Sequence, residues 1–293
     1  MSVLCDSLKI EDISFPLKIT LQSKGKLVFL DSPKVMGIIN TTPDSFFSGS
    51  RVGTAVEEGL RQAEKMLREG ADMLDIGGYS TRPGAKEVDV EEELRRTVPL
   101  IEALTKTFPE TLISIDTFRA KVAVEAVHAG AGIVNDVSAG SLDAAMLSEV
   151  GALGVPYVAM HMRGNPGNMQ EFTAYEDVLV DILKYFSKKI VECKQAGIKD
   201  VILDPGFGFS KTLEQNYWIL KNLSYFKTIG VPILVGVSRK SMIYKKLGVG
   251  PEEALNGTTA LNMAALINGA AILRVHDVKE GKETVELFKQ LNA

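Results

Sequence analysis

The feature that most constrains the fold of this 293-residue chain is a regular alternation of short apolar runs with longer amphipathic segments. Each apolar run ends in polar residues or glycine, as in residues 201–209, where Val-Ile-Leu leads into Asp204, Pro205 and Gly206. A continuous apolar run bounded by turn residues indicates a strand buried on both faces, which is typical of parallel sheets. Eight such runs occur, at residues 37–40, 73–78, 112–116, 133–136, 157–161, 201–204, 233–238 and 271–276.

The intervening segments have the spacing of helices. In residues 175–195, for example, Leu179, Ile182, Phe186 and Ile190 recur at intervals of three and four, which places them on one helical face. Because the connections between strands have helix length, the sheet should be parallel. Eight β/α units in a chain of this length predict an α/β fold, a (β/α)8 TIM barrel. The helical segments are 54–68, 91–106, 119–129, 175–195, 213–223, 252–268 and 278–291.

An open doubly wound sheet is the alternative fold. It would place a Gly-x-Gly-x-x-Gly turn after the first strand, where this chain has Asn-Thr-Thr-Pro-Asp-Ser beginning at Asn40. Within residues 13–32, Leu17 to Leu21 alternates apolar and polar positions, Gly25 supplies a turn, and Leu27 to Leu30 is apolar. This pattern predicts a β-hairpin covering the bottom of the barrel. We therefore expect an N-terminal extension and hairpin over residues 1–33 and a catalytic barrel over 34–293, in a single domain.

Composition excludes several classes of protein. A net charge of -4 gives no electrostatic case for nucleic acid or an anionic membrane as a partner. No apolar run approaches the ~20 residues that would span a bilayer, and residues 1–12 lack the pattern of a signal peptide. Two cysteines in a chain of this length favour a reducing compartment, so a cytoplasmic location is expected.

Polar residues gather where the strands end. In a barrel these positions converge on one mouth. Acid and amide side chains there suit the hydrogen-bonding edge of a planar heterocycle, whereas hydroxyl, arginine and histidine side chains suit phosphate. The first set is Asp116, Asn135 and Asp204, and the second is Ser80, Thr81, Arg82, Arg274 and His276. The chain has no zinc-like spacing of histidines, nucleophile elbow or Walker loop.

Several polar residues at or near the strand ends also have a purely structural interpretation. Asp116 could cap the next helix, Lys240 could be a solvated lysine at a helix start, and Asp75 is expected to bond the loop above it. Asn135 could satisfy loop backbone. Convergence weighs against these interpretations, because several polar side chains in one pocket carry a desolvation cost unless a ligand bonds to them.

The strand-end motifs resemble the dihydropteroate synthase family, motif for motif and in order, from about residue 34 to the C-terminus. The motifs are Asn-Thr-Thr-Pro-Asp-Ser-Phe at 40–46, Asp-Ile-Gly-Gly-Tyr-Ser-Thr-Arg-Pro-Gly at 75–84, Ile-Asp-Thr at 115–117, Asn-Asp-Val-Ser-Ala-Gly at 135–140, Met-His-Met-Arg-Gly at 160–164, Asp-Pro-Gly-Phe-Gly-Phe at 204–209, Ser-Arg-Lys-Ser at 238–241 and Arg-Val-His-Asp at 274–277. The resemblance implies a sulfonamide target of folate synthesis, in which p-aminobenzoate displaces pyrophosphate from (7,8-dihydropterin-6-yl)methyl diphosphate. It also implies a (β/α)8 barrel, Mg2+ and a homodimer.

The same resemblance implies roles for individual residues. The implied pterin-binding set is Asp116, Asn135, Met160, Asp204, Gly236 and Lys240. The implied diphosphate set is Asn40, Thr81, Arg82, Arg274 and His276, with Asn40 as the metal ligand. The implied p-aminobenzoate set is Thr81, Pro83, Phe209 and Ser241, and the implied catalytic set is Arg82, Lys240, Arg274 and His276. Tyr79 departs from many bacterial members, which have glutamate there, so we expect altered packing of this loop.

Three other functions remain open from the sequence. A methyltetrahydrofolate:corrinoid methyltransferase would share the pterin-facing residues but would not need Ser80-Thr81-Arg82 or Arg274 and His276 for a diphosphate. A Schiff-base aldolase could use Lys240, although such lysines are normally desolvated within apolar strands. A catalytically silent pterin binder is the third.

Overall fold

A computed structural model describes residues 19–41, 52–81 and 87–293. Within them, eight parallel strands form one sheet in the order β8-β7-β6-β5-β4-β3-β10-β9, and a parallel bridge between Leu203 and Ile233 brings its two edges together. This confirms the (β/α)8 barrel. The barrel strands are β3 Lys34–Asn40, β4 Met73–Gly77, β5 Leu112–Asp116, β6 Ile133–Asp136, β7 Tyr157–Met160, β8 Val201–Asp204, β9 Leu234–Val235 and β10 Ile272–Val275.

Helices follow the strands along the described chain. Two of them, α4 Met146–Leu153 and α7 Ser241–Leu247, are not among the segments delimited from the sequence, although a helix start at Lys240 was considered. Eight and seven residues are too short to display a clear helical period. With them, every barrel strand is followed by at least one helix. The helices are α1 Val52–Arg68, α2 Val90–Thr107, α3 Ala120–Ala129, α4 Met146–Leu153, α5 Val178–Gln195, α6 Leu213–Lys221, α7 Ser241–Leu247, α8 Leu255–Ile267 and α9 Val278–Leu291.

Strand side chains alternate between two environments. Outward residues such as Val35, Leu74 and Val235 belong to the large buried cluster that the strands share with the helices. Inward residues near the strand starts form a second apolar cluster that includes Met36, Met73, Ile133, Val158 and Ile202. Two residues further along, the inward positions are polar on five of the eight strands, so the barrel interior is apolar below and more polar above. These residues are Asp75, Ser114, Asn135, Asp204 and Arg274.

The N-terminal hairpin covers the apolar end, as expected. It consists of β1 Ile19–Ser23 and β2 Lys26–Leu30, paired antiparallel. Leu21 and Leu30 are fully buried in the lower interior cluster. The Ser23 hydroxyl donates to the Gly132 carbonyl at 2.7 Å, just before β6. The hairpin therefore plugs the end of the barrel opposite to the strand carboxyl ends.

No helix in the described ranges is long and apolar enough to cross a membrane. Cys193 is a buried free thiol, whereas Cys5 lies outside the described residues. Two positions with expected site roles, Arg82 and Pro83, also lie outside them.

Candidate active site

An arginine and three polar residues from neighbouring strands form a hydrogen-bonded layer inside the upper barrel. Arg274 on β10 donates from Nε to Asp75 Oδ2 and from Nη2 to Asp116 Oδ2, each at 2.6 Å. Asn135 Nδ2 donates to the same Asp75 oxygen at 3.0 Å. The topology therefore brings together side chains that are up to 199 positions apart in the sequence.

This arrangement changes two interpretations of the sequence. Asp116 does not cap a helix: Arg119 occupies the N-cap position of α3, and it makes no side-chain capping bond. The expectation that Asp75 bonds the loop above it was wrong, because the carboxylate turns into the barrel toward Asn135 and Arg274. Asp75 lies two positions before the strand end, and on β4 that position faces inward.

Burial sets the charge states of this layer. It raises the pKa of Asp116 to about 7, an effect that the Arg274 guanidinium opposes and the Asp75 carboxylate strengthens. For Arg274, burial acts to lower the pKa, but the carboxylates of Asp75 and Asp116 outweigh it and raise the pKa above its ordinary value. The guanidinium thus stays charged, while Asp116 can change its protonation state near neutral pH.

Asp204 and Lys240 face each other across the adjoining part of the mouth. Asp204 Oδ1 accepts from the Gly206 amide at 2.7 Å, and burial raises the pKa of the carboxyl while the Lys240 charge opposes the rise. Lys240 is the N-cap residue of α7; its ammonium donates to the Phe207 carbonyl and lies 4.8 Å from the centre of the Phe209 ring. Burial lowers the pKa of Lys240 to about 8, with Asp204 opposing.

The environment of Lys240 corrects one argument from the sequence. A loop lysine was expected to keep an ordinary pKa, which counted against a Schiff-base aldolase. The loop position is confirmed, but burial depresses the pKa nonetheless. What distinguishes this lysine from a free amine nucleophile is its engagement by the Phe207 carbonyl and its attraction to Asp204.

Two buried oxygens in the same layer have no hydrogen-bond partner within the described residues. They are Asp75 Oδ1 and Ser114 Oγ, on strand positions that are paired in the β4–β5 register. An unsatisfied buried polar atom costs about 1–3 kcal/mol. The upper barrel is therefore prepared for polar contacts that the protein itself does not supply.

An apolar wall adjoins the polar layer. Met160 is buried and clusters with Val137, Met162 and Met169, and the half-buried rings of Phe118 and Phe209 pack against this group. Gly236 leaves room beside Arg274, because a Cβ placed there would make only ordinary contact, at 3.8 Å from Arg274 Cβ. A sulfur-rich apolar surface next to a polar edge suits a flat heterocyclic ring.

Further polar groups line the rim. Asn40 ends β3, and its Oδ1 and Asp116 Oδ2 both approach Gly77, at 3.8 and 3.7 Å from where a Cβ would stand. His276 Nδ1 and Ser238 Oγ are 3.1 Å apart. Thr81 and Ser241 are half-buried at the same rim, with Ser241 starting α7.

The polar groups at the rim suit a magnesium site better than a metal site built from several protein side chains. No group of three or more His, Cys, Asp or Glu side chains that could hold an ion occurs in the part of the chain described by the structure. Mg2+ commonly takes only one or two protein oxygens and completes its shell with substrate phosphates and water. The amide oxygen of Asn40 is a hard ligand of the right type, so this residue fits magnesium carried in with a phosphorylated substrate.

Sequence reasoning missed three residues of this region. Asp75 and Ser114 could have been found, since each lies two positions before a strand-end residue and therefore shares its inward face. Lys211 could not, because nothing in the sequence around it signals burial. Its side chain is nevertheless only 4% exposed, behind the loop that follows Asp204.

Tyr79 packs as an aromatic residue at the start of the second loop. Its ring meets Phe118 edge-on at 5.1 Å, and the Arg119 guanidinium lies 5.2 Å from each ring centre. Arg119 is held in turn by the fully buried carboxylate of Glu93 at 2.7 Å. Tyr79 thus packs against Phe118 and Arg119, while the altered packing expected for the rest of the loop stays a prediction, since residues 82–86 lie outside the described ranges.

Comparison with known proteins gives consistent matches. Residues 36–276 match the family model of pterin binding enzymes. The dihydropteroate synthase of Escherichia coli K12 is 45% identical over 281 residues, covering 93% of this chain and 95% of the relative. That of Synechocystis is 43% identical over 267 residues, covering 90% of each.

Solved structures agree in fold. The Yersinia pestis dihydropteroate synthase in complex with a sulfonamide drug superposes with a TM-score of 0.87 at 42% identity, covering 93% of this chain and 99% of the other. The Xanthomonas albilineans dihydropteroate synthase with 4-aminobenzoic acid also gives 0.87, at 40% identity, covering 94% and 98%.

Proposed function

Because this chain belongs to the dihydropteroate synthase family of pterin-binding enzymes, we propose that its barrel mouth joins a dihydropterin to p-aminobenzoate. The substrates are (7,8-dihydropterin-6-yl)methyl diphosphate and p-aminobenzoate, and the products are 7,8-dihydropteroate and pyrophosphate. The enzyme is thus a transferase of folate biosynthesis. The observation that carries the proposal is the layer of Asp75, Asp116, Asn135 and Arg274 inside the upper barrel, beside Asp204 and Lys240.

The pterin is assigned to this layer. A pterin carries an amino group and a ring NH side by side, and a single carboxylate such as Asp204 can accept from both. Asp116 and Asn135 supply further groups for the ring edge, and the Lys240 ammonium can donate to a carbonyl oxygen. Met160 and Gly236 bound the two faces of the ring. Bonds to buried charged groups contribute about 1.5–3 kcal/mol each, which gives this edge its selectivity.

The diphosphate is assigned to the rim beside Arg274. Its guanidinium stays charged, and Thr81, Arg82 and His276 would add donors around the same group. Cleavage of the CH2–O bond transfers the bonding electron pair to the diphosphate oxygen. Fixed cations stabilise that growing charge more in the transition state than in the ground state.

Magnesium is assigned to Asn40. Mg2+ would neutralise negative charge on the leaving diphosphate when bound. The amide oxygen at the end of β3 would hold it, and the phosphate oxygens would complete its coordination.

The p-aminobenzoate subsite is assigned to Thr81, Pro83, Phe209 and Ser241. Phe209 offers a ring face, and the Lys240 ammonium lies 4.8 Å from its centre. An aryl carboxylate stacked here would lie close to a positive charge. Sulfonamide drugs, which share the aminophenyl group, would compete at the same position.

The chemistry needs no strong base. The electron-rich dihydropterin can delocalise the positive charge left on the methylene carbon, so we propose dissociative, SN1-like bond breaking. The neutral arylamine then forms the C–N bond and releases its proton to solvent. Labelling the oxygen that joins the methylene carbon to phosphorus tests this step. Reversible ionisation moves the label into the non-bridging oxygens of that phosphate in unreacted substrate, whereas a concerted displacement leaves it in place.

Product detection tests the function as a whole. Purified protein with both substrates and Mg2+ should form 7,8-dihydropteroate, identified by its mass, and EDTA should suppress the reaction. Methyl transfer from methyltetrahydrofolate to a corrinoid, with no dihydropteroate formed, would instead support the methyltransferase. Binding without either reaction would support the silent pterin binder.

We also propose a homodimer in the cytoplasm. The dimer is supported by large exposed apolar side chains on neighbouring helices, Leu247 on α7 and Ile267 on α8, which are 55% and 62% exposed. The location rests on the low cysteine content of the chain. Light scattering after gel filtration would measure the mass, and a monomer at micromolar concentration would contradict the first proposal.

A further inference from the structure

The loop between β8 and α6 carries two groups that face the proposed substrates. Asp204 precedes this loop, the Phe207 carbonyl accepts from the Lys240 ammonium, and the Phe209 ring lies beside the same ammonium. The position of the loop therefore decides where Lys240 points. This inference rests on the proposed function of the site and concerns what holds the loop.

The loop backbone is unusual and depends on outside contacts. Gly206, Gly208 and Ser210 all have positive φ angles, of 72°, 82° and 46°. A serine in this left-handed region is strained by about 1 kcal/mol or more. Gly206 also packs so closely on the end of β7 that a Cβ would come within 2.1 Å of the His161 carbonyl oxygen. Such a conformation persists only if its surroundings fix it.

Lys211 supplies those contacts from behind. Its ammonium donates to the carbonyls of Gly206 at 3.0 Å, Phe209 at 2.9 Å and His161 at 3.3 Å, and lies 3.0 Å from His161 Nδ1. All four partners are uncharged acceptors if the imidazole is neutral, and burial lowers the pKa of His161 well below its ordinary value. Burial lowers the pKa of Lys211 well below its ordinary value, with the Asp204 carboxylate opposing, but the three carbonyl acceptors around Nζ match the three N–H donors of an ammonium. The Lys211 ammonium thus ties two loop carbonyls to the end of β7.

The remaining loop groups are held by side chains around it. Asn216 Oδ1 accepts from the Gly208 amide at 2.7 Å, and the Tyr175 hydroxyl donates to the Ser210 carbonyl at 3.0 Å. Neither Asn216 nor Tyr175 contacts the carbonyls of Gly206 and Phe209, which flank the Phe207–Gly208 segment. Lys211 is the residue that fixes both ends of the segment carrying the acceptor of Lys240.

We propose that Lys211 is a positioning residue for the reaction, which acts through the Phe207 carbonyl to aim the Lys240 ammonium at the pterin. Lys211 is 4% exposed and lies behind the loop, so it acts on the substrate only through other groups. Without its ammonium, the Phe209 carbonyl loses its Lys211 donor, and the Gly206 carbonyl keeps only the Phe209 amide, at 3.1 Å. The acceptor of Lys240 is then less firmly fixed. Part of the binding free energy of the pterin would then be used to order the Lys240 side chain.

A double-mutant cycle on the full chain tests this. The probe is 7,8-dihydropteroate, and the measured quantity is its Kd by calorimetry. Lys211→Met, which keeps the length but removes the donors, should raise the Kd about tenfold in the wild-type background and less than about twofold in the Lys240→Met background. Leu104→Ala, which opens a cavity in the core on α2, serves as the control: it should lower the melting temperature without changing the Kd.

A second variant keeps the test informative if Lys211→Met does not fold. Asn216→Ala frees the Gly208 amide without removing a buried charge, and it should show the same dependence on Lys240. Equal factors in both backgrounds would overturn the positioning role while leaving the pterin site intact. If Lys240→Met itself left the Kd unchanged, the assignment of Lys240 to the pterin would fail, and the role of Lys211 with it.

Discussion

Asp204 is the carboxylate to which we assign selection of the pterin. Its carboxylate accepts a hydrogen bond from the Gly206 amide. Asp204 is the last residue of β8, and Asp200 immediately precedes the first. In Asp204→Asn, the side-chain NH2 group is a donor and would face the amino group and the ring NH of the pterin, which are donors too. We expect the affinity for 7,8-dihydropteroate to fall by about 2–4 kcal/mol, the cost of a mispaired charged hydrogen bond.

The matched control, Asp200, immediately precedes the same strand. Asp200 accepts from the Gln22 amide of the hairpin at 2.7 Å, at the opposite end of the barrel. Asp200→Asn should leave the Kd for 7,8-dihydropteroate unchanged. Similar losses in both variants would mean that Asp204 acts on the fold and not on the ligand.

The charge states of Asp116 and Lys240 predict a narrow pH optimum for pterin binding. Burial raises the pKa of Asp116 to about 7, so below that pH the carboxyl gains a proton and loses an acceptor. Burial lowers the pKa of Lys240 to about 8, so above that pH the amine loses its charge. The Kd for 7,8-dihydropteroate should therefore be lowest between pH 7 and 8.

One variant tests the acidic limb of the pH profile of the Kd, and a second variant tests the basic limb. Asp116→Asn should abolish the weakening on the acid side, and Lys240→Met should abolish it on the basic side. A profile that keeps both limbs in both variants would assign the titrations to other groups, including the ligand.

Arg274 should also contribute to stability, apart from the catalytic role that we propose for it. Its partner Asp75 is completely buried, so Arg274→Met would leave a buried carboxylate without its cation. Breaking a buried pair in this way costs about 3–5 kcal/mol of unfolding free energy. Urea denaturation should show this loss, and adding Asp75→Asn should recover part of it; no recovery would argue against the ion pair as its cause.

Elements differ in how well the sequence predicts them. The buried strands and long helices could be predicted, because their apolar periods of two and 3.6 residues are read directly from the sequence. The convergence of Asp116, Asn135 and Asp204 at one mouth followed from the parallel topology alone. The bounds of the short helices α4 and α7 could not be predicted, since seven or eight residues hold only about two turns.

The unexpected site residues were missed for physical reasons. Asp75 was assigned to its local loop because its partner Arg274 is 199 positions away, and such a contact exists only once the barrel closes. Lys211 was missed because lysines are mostly exposed and its acceptors are backbone carbonyls, which every sequence contains. Contacts of this kind depend on the loop conformation and not on residue type.

The hairpin should contribute stability without contributing to the chemistry. Leu21 and Leu30 are each 1% exposed at the barrel bottom. Replacing either with alanine should cost about 2–5 kcal/mol of unfolding free energy, with the KM for both substrates unchanged. Leu27, on the same hairpin but 60% exposed, is the control and should stay within about 0.5 kcal/mol of wild type. A change in KM would instead connect the hairpin to the mouth.

Stability and ligand binding depend on different ends of the barrel. Apolar residues and the hairpin fill the lower interior and supply stability, whereas the upper interior carries buried charges that cost stability and suit a polar ligand. Such unsatisfied groups are tolerated at functional sites because ligand binding completes their hydrogen bonds. Ligand binding should accordingly depend on the upper layer and folding on the lower one.

Pyrophosphate release is the most direct test of the central claim, that this mouth couples a pterin pocket to departure of a diphosphate. Purified protein is given (7,8-dihydropterin-6-yl)methyl diphosphate and Mg2+, with and without p-aminobenzoate. We expect steady release that depends on p-aminobenzoate and matches the dihydropteroate formed. Tight pterin binding with no release under either condition would contradict the account, and the roles assigned to Arg82, Arg274 and His276 would be lost with it.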